Sequence, residues 1–93
     1  MNREEKKRQI NIRVPQDEAK GAYANFLRIM QSREEFVLDF GNVFGNEGVL
    51  TARIFVSPGH LKRIVKVLAA TLKKYEDKWG EIEEGKGTPK IGF

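Results

Sequence analysis

Arginines and phenylalanines that fall at alternate positions of the predicted strands are the residues of this chain best suited to binding chemistry. A guanidinium group binds phosphate with paired donors, and an aromatic ring stacks on a nucleic-acid base. The residues concerned are Arg13, Phe26, Arg28, Arg53 and Phe55. If they share one face of a sheet, the phenylalanines could stack bases while the arginines hold phosphates. The pattern therefore indicates a candidate platform for nucleic acid.

The same face also fits a second explanation, which is contact between two copies of the chain. Phe26, Phe55 and Met30 would form an apolar patch that a monomer should not leave in water. Small symmetric oligomers are common, and a short chain gains core volume by forming one. In that arrangement Asp39 would pair with an arginine across the contact. The two explanations are compatible if a homodimer buries only part of the face.

A second candidate site is the start of the predicted helix, where His60, Lys62 and Arg63 follow Gly59. A helix N-terminus presents unpaired N–H groups to anions, so these residues could contact a phosphate. The alternative is an ordinary polar first turn, since the segment has no phosphate-loop signature.

Catalytic and metal-binding groups are scarce in this sequence. The chain has no cysteine and one histidine, so no Cys-based or His-based metal site is expected within it. The adjacent acids Glu34–Glu35 and Glu76–Asp77 have no evident apolar pocket to raise a carboxyl pKa. Ser57 has no histidine placed to activate it. We therefore expect a non-enzymatic protein without a cofactor.

Composition sets the broad class of the chain. Its 93 residues suffice for one small domain, and its net charge of +4 permits an acidic partner without requiring one. No apolar run approaches the length of a membrane span, and no signal-peptide core is evident, which predicts a cytoplasmic protein without a membrane partner. No small-molecule substrate is suggested.

The element that organises the predicted fold is a long amphipathic helix over Ser57–Gly80. Ser57 is a favourable N-cap, Pro58 suits the first helical position, and Gly80 can end a helix at positive φ. Apolar residues recur at spacings of three and four, which defines one stripe. The stripe consists of Leu61, Ile64, Val65, Leu68, Leu72, Tyr75 and Trp79.

Four strands are predicted before this helix, because apolar and polar residues alternate and Gly, Asn or Ser punctuate the turns. They lie within Ile10–Val14, Tyr23–Ser32, Glu35–Phe44 and Val49–Val56, and Gln16–Gly21 is a polar connection. Short turns between the longer strands predict an antiparallel meander. The expected fold is a two-layer α+β domain of order ββββα over residues 10–82. Residues 1–9 form a charged flexible leader and residues 83–93 a loosely ordered tail.

In this fold the helix covers one face of the sheet and leaves the other free. The covered set is Ile10, Ile12, Val14, Leu27, Ile29, Phe36, Leu38, Phe40, Leu50, Ala52, Ile54 and Val56. The opposite face carries Asn11, Arg13, Phe26, Arg28, Met30, Val37, Asp39, Thr51, Arg53 and Phe55.

Several ordered segments resemble a family of small bacterial and archaeal proteins catalogued only as a domain of unknown function. The matching segments are Tyr23-Ala24-Asn25, Glu35–Phe40, Ala52-Arg53-Ile54, Ser57–Lys62, Tyr75-Glu76 and Trp79–Ile82. The chain departs from the family pattern at Trp79, where phenylalanine is usual, and at Thr71, where asparagine is usual. The resemblance implies a compact cytoplasmic domain and assigns no catalytic residue.

Taken together, the sequence predicts a homodimeric binding module, with nucleic acid as the most specific candidate ligand. The alternative is a protein–protein adaptor, or a subunit of a larger assembly, that uses the same sheet face.

Overall fold

The structure is a computed structural model, and it describes residues 8–85. The elements follow one another in the order α1, β1, β2, β3, α2. Their bounds are Gln16–Ala19 for α1, Phe26–Gln31 for β1, Phe36–Phe44 for β2, Glu47–Val56 for β3 and Pro58–Trp79 for α2. Most of the predicted leader, residues 1–7, and most of the predicted tail, residues 86–93, lie outside the described residues.

The three strands form one antiparallel sheet with β2 in the centre, as the meander prediction required. Ser32 and Glu35 close the β1–β2 connection through a backbone hydrogen bond of 3.0 Å. Gly45 and Asn46 alone connect β2 to β3, and Gly45 has a φ of +61°. A glycine with positive φ at the first of two turn positions suits the right-handed twist of a hairpin. The α+β class and the antiparallel sheet are therefore confirmed.

The fourth predicted strand is not formed. Within residues 8–85, the segment Ile10–Val14 has no strand pairing, and Ile10, Ile12 and Val14 are exposed. The alternation of apolar and polar residues predicted a half-buried strand here, but neither edge strand of the sheet, β1 or β3, pairs with this segment. The polar connection that follows contains a single helical turn, α1, which begins after Pro15.

A β-bulge changes the face on which one predicted core residue lies. Phe40 pairs with Ala52, but Gly41 pairs with Leu50, so Thr51 is the extra residue of β3. An extra residue reverses the alternation of the strand on its far side. Leu50 therefore shares a face with Asp39 and Gly41, which corrects its predicted place beside Ile54. The hydroxyl of Thr51 donates to the Phe40 carbonyl at 3.1 Å.

The long helix begins and ends as predicted. The Ser57 hydroxyl accepts a hydrogen bond from the backbone N–H of His60 at 3.1 Å, which satisfies one of the unpaired donors of the first turn. At the other end Gly80 has a φ of +100°, and its N–H donates to the Glu76 carbonyl. The chain then turns, and the Ile82 N–H donates to the Glu76 carboxylate at 2.9 Å.

The helix does not cover the sheet, which corrects the predicted two-layer packing within one chain. No residue of α2 is buried, and Leu68 is 63% exposed. Among the described apolar side chains, Leu38 in the central strand is the one that is buried, at 7% exposure. No helix of residues 8–85 is both long enough and apolar enough to cross a membrane.

Candidate functional site

One face of the sheet gathers four of the five predicted binding residues. We call it the arginine face, and strand register assigns to it Phe26, Arg28, Met30, Val37, Asp39, Gly41, Val43, Gly48, Leu50, Arg53 and Phe55. Arg28, Asp39 and Arg53 are direct cross-strand neighbours, so they form one row across all three strands. The row exists because the bulge at Thr51 brings Arg53, in place of Ala52, opposite Asp39.

Asp39 holds both arginines through charged hydrogen bonds within the chain. Arg53 donates from Nε to Asp39 Oδ1 at 2.8 Å and from Nη2 to Oδ2 at 2.9 Å. Arg28 donates to Oδ2 from Nη2 at 2.7 Å and from Nε at 3.2 Å. Paired N–H donors on a carboxylate fix the plane of the guanidinium as well as its position. Asp39 is therefore already paired, and it does not need the arginine of a second copy that the dimer explanation assigned to it.

These contacts change the acid–base behaviour of the row. The hydrogen bonds from Arg53, and then those from Arg28, hold the pKa of the Asp39 carboxyl well below its usual range. The partial desolvation of the carboxyl acts in the opposite direction and is outweighed. The same contact with Asp39 raises the pKa of Arg53. Asp39 is therefore ionised at neutral pH, and with a guanidinium group on either side of it the row carries one net positive charge.

The two arginines shield the carboxylate from solvent and remain accessible themselves. The Asp39 side chain is fully buried, whereas those of Arg28 and Arg53 are 38% and 43% exposed. A carboxylate that sits under two guanidinium planes cannot repel an incoming anion as strongly as an exposed one would. The solvent-exposed side of the row is cationic, and Asp39 fixes the positions of the two guanidinium groups through its hydrogen bonds.

Phe26 and Phe55 lie on opposite sides of this row. Phe26 pairs with Gly41 and is half-buried, while Phe55 pairs with Val37 and is 58% exposed. A Cβ placed on Gly41 would come within 2.7 Å of the Phe26 ring, so the ring lies across the glycine. The Phe55 ring is thus the more available of the two for contact with a partner.

An open depression adjoins the Phe26 side of the row. It has a volume of about 470 Å³, and its lining includes Phe26, Arg28, Val43 and Leu50 together with the β2–β3 turn. The turn at Gly45–Asn46 sets Leu50 opposite Gly41 beside this depression, and the bulge brings Arg53 to the same face. Glu47 also lines it, so the depression combines apolar walls with one guanidinium and one carboxylate, a combination suited to a flat ring with hydrogen-bonding groups at its edge.

The edge of the sheet beside this depression is held by two asparagine side chains. The Asn25 amide accepts from the Val43 N–H at 2.9 Å and donates to the Val43 carbonyl at 3.3 Å. Asn42 donates to the Tyr23 carbonyl at 2.9 Å. These hydrogen bonds between side chains and the backbone continue the pairing of β1 with β2 beyond Phe26. They give a structural reason for the Tyr23-Ala24-Asn25 segment singled out in the sequence.

The remaining predicted site residues lie elsewhere. Arg13 belongs to the unpaired segment before α1, so its predicted place on the sheet face is wrong. His60, Lys62 and Arg63 are exposed on the first turns of α2, where the His60 N–H is already occupied by the Ser57 cap. Across residues 8–85, no group of three or more His, Asp or Glu side chains is placed to hold a metal ion.

The supporting role of Asp39 and the position of Leu50 were missed by sequence reasoning. A signal for the bulge was present, because Val49 and Leu50 are adjacent apolar residues that interrupt the alternation of the strand. Counting back from a two-residue turn at Gly45–Asn46 would have placed Asp39 opposite Ala52. The bulge, and with it the arginine row, would then have followed from requiring a charged partner for Asp39.

Comparison with known proteins identifies a family for this chain. No curated protein and no solved structure matches this chain. A family model described as "Protein of unknown function (DUF3467)" matches residues 1–84, which is most of the sequence. The resemblance to a family of unknown function is thereby confirmed, and the chain belongs to the DUF3467 family.

Proposed function

We propose that this protein is a non-enzymatic, homodimeric binding module whose arginine face takes single-stranded nucleic acid. The observation that carries the proposal is the Arg28–Asp39–Arg53 row, which presents two fixed, partly exposed guanidinium groups between two phenylalanines. The cytoplasmic location predicted from the sequence stays part of this proposal.

The row suits a polymer of alternating charge and aromatic groups. Arg28 and Arg53 reach Asp39 from the strands on either side of β2, and their Nη2 atoms lie 2.7 Å and 2.9 Å from the same carboxylate oxygen, so the two guanidinium groups form one compact cationic surface. In this arrangement that surface contacts the phosphate backbone, and bases lie against Phe55 and in the depression beside Phe26. Base stacking on aromatic side chains is tolerant of sequence, which predicts weak sequence preference.

Fluorescence anisotropy of a labelled oligothymidine strand would test this function. We expect binding at low salt that weakens as salt is added, because each phosphate contact releases counterions. Arg53→Gln should lower the affinity and reduce the slope of log K against log salt by about 0.7, the value for one phosphate contact on a single strand. Arg33→Gln removes the same charge from the β1–β2 turn, off the arginine face, and should leave the affinity close to that of the wild type.

Failure to bind at low salt, or an equal loss in both variants, would refute the nucleic-acid proposal. The second outcome would mean that net charge and not the arginine face governs binding.

A protein–protein adaptor is the second candidate, and a specific observation favours it. Asp39 cancels one of the two positive charges of the row, and Leu50 and Phe55 are 43% and 58% exposed beside it. Arginine and aromatic residues are enriched in protein interfaces, which are less cationic than nucleic-acid sites. If the anisotropy assay shows no binding at low salt, this candidate becomes the better account of the arginine face.

A further inference from the structure

We infer that the apolar stripe of α2 docks on the sheet of a second copy of this chain, so that two chains exchange helices. The stripe consists of Leu61, Ile64, Val65, Leu68, Leu72, Tyr75 and Trp79. Its receptor is the face opposite to the arginine face, which we call the leucine face: Leu27, Ile29, Phe36, Leu38, Phe40, Ala52, Ile54 and Val56. The inference rests on the homodimer of the proposed function, and it is independent of the ligand.

The stripe is a continuous surface that the chain itself leaves open. Leu72 and Tyr75 are half exposed, and Val65, Leu68 and Trp79 are more exposed still. The six cations of α2 lie away from this stripe at helical spacing, so its centre carries no charge. An apolar strip of this length marks an interaction surface and not ordinary surface variation.

The leucine face is apolar to a matching extent and is incompletely covered. Its residues are apolar, and strand register adds Phe44 and Val49 on the same side, with Gln31, Asn42 and the acid Glu47 towards the ends of the strands. Leu38 is the one apolar residue of this face that is buried, and Ile54 remains 47% exposed. The stripe and the leucine face are therefore both apolar and both incompletely covered, and each chain carries one of each.

The two surfaces are also of comparable length. The 22 residues of α2 span about 33 Å at 1.5 Å per residue, and the apolar part of this side of β3, from Val49 to Val56, spans about 26 Å at roughly 3.3 Å per residue. A helix about 10 Å wide that lies along this stretch covers about 260 Å² on each side of the contact. Two such contacts in a two-fold dimer bury roughly 1,000 Å² in total, which is the lower end of the range for specific interfaces.

Charge favours a helix on a sheet over a pair of helices. Residues Pro58–Trp79 hold six Lys or Arg and two acids, so two of these helices side by side would repel each other. Residues Phe26–Val56 hold three arginines and four acids. The helix of one chain and the sheet of another are thus opposite in net charge, while the arginine face stays free on the far side of each sheet.

The absence of cysteine from the chain allows a direct cross-linking test. Leu68→Cys and Ile54→Cys would be prepared as separate variants, mixed after unfolding, refolded together and treated with a short bis-maleimide. Helix exchange predicts cross-linked heterodimers in the mixture. Ala70→Cys lies on the opposite side of α2 from Leu68 and should give little cross-linking with Ile54→Cys.

Two outcomes would overturn the inference. A wild-type protein that sediments as a monomer at micromolar concentration excludes a second copy as the occupant. Efficient cross-linking of Leu68→Cys with itself, without cross-linking in the mixture, would show paired helices instead. Because the oligothymidine assay reads the arginine face, it can succeed or fail independently of both results.

Discussion

At the scale of single residues, Asp39 is the group on which the candidate site depends. It receives four charged hydrogen bonds from Arg28 and Arg53, and these bonds keep its side chain buried without leaving its charge unpaired. A buried carboxylate is tolerated only when it is paired in this way. The same bonds orient both guanidinium groups, so one aspartate links the stability of the sheet to the chemistry of its outer surface.

Replacement of Asp39 by asparagine should change how stability depends on pH. The pKa of Asp39 is lowered in the folded protein, so its contribution to stability is complete above the unfolded-state pKa of about 4 and is lost as the pH falls below it. Wild-type protein should therefore show a falling urea midpoint between pH 5 and pH 3. Asp39→Asn should start lower at pH 7, because two arginines lose their charged partner, and should fall less steeply.

The exposed ion pair between Lys73 and Asp77 supplies the control for this measurement. Exposed pairs at this helical spacing contribute only about 0.3–0.5 kcal/mol, so Asp77→Asn should retain a pH profile close to that of the wild type. An Asp39→Asn profile parallel to the wild-type profile would contradict the role assigned to the aspartate.

At the scale of elements, the pairing of β2 with β3 at the bulge is the constraint that builds the arginine face. The strands come close at Gly41, where an added Cβ would lie 2.4 Å from the Val49 carbonyl oxygen and 2.7 Å from the Phe26 ring. The first of these neighbours is backbone and cannot rotate aside. A glycine at this position therefore allows the register shift that brings Arg53 opposite Asp39.

Gly41→Ala should destabilise the protein by about 2 kcal/mol, the order of magnitude of overpacking in a tight site, as measured by urea unfolding. Gly48→Ala is the matched control on the same pair of strands, since its nearest neighbour would be a Val43 methyl at an ordinary 3.5 Å. We expect that change to stay within about 0.5 kcal/mol of the wild type. Equal losses in the two variants would show that the approach at Gly41 does not constrain the strands.

The elements also show how far sequence reasoning could go. Capping residues and a wide apolar stripe act locally, so the limits of α2 could be predicted. A turn between the predicted strands Glu35–Phe44 and Val49–Val56 could be predicted as well, although β3 begins two residues earlier, at Glu47. The strand at Ile10–Val14 was predicted from alternation, which shows that one side of a segment could be buried but not that another strand is available to pair with it. For α2 the apolar stripe likewise indicated that one side of the helix is buried. It did not indicate whether the helix packs on the sheet of its own chain or on that of a second chain.

At the scale of the whole molecule, a single chain has the apolar surfaces that a core requires, but in the part of the chain that the structure describes these surfaces are largely exposed. The apolar stripe and the leucine face are present, yet Leu38 is the one apolar side chain among residues 8–85 that is buried. Small domains are marginally stable even when most of their apolar surface is buried. A folded state that relies on helix exchange would therefore gain much of its stability from association.

Thermal unfolding should then depend on protein concentration. For a dimer that unfolds directly to two chains, each tenfold increase in concentration adds about 1.4 kcal/mol to the stability of the dimer. With about 2.1 cal/mol/K of unfolding entropy per residue, and two chains of 93 residues, the Tm should rise by roughly 3–4 °C per tenfold increase. Leu72→Glu places a charge in the centre of the stripe and should lower the Tm at every concentration, whereas Ala70→Glu, on the opposite side of α2, should keep the wild-type slope. A wild-type Tm that stays constant over a hundredfold range of concentration would mean that one chain completes its core alone, and the exchange of helices would have to be abandoned.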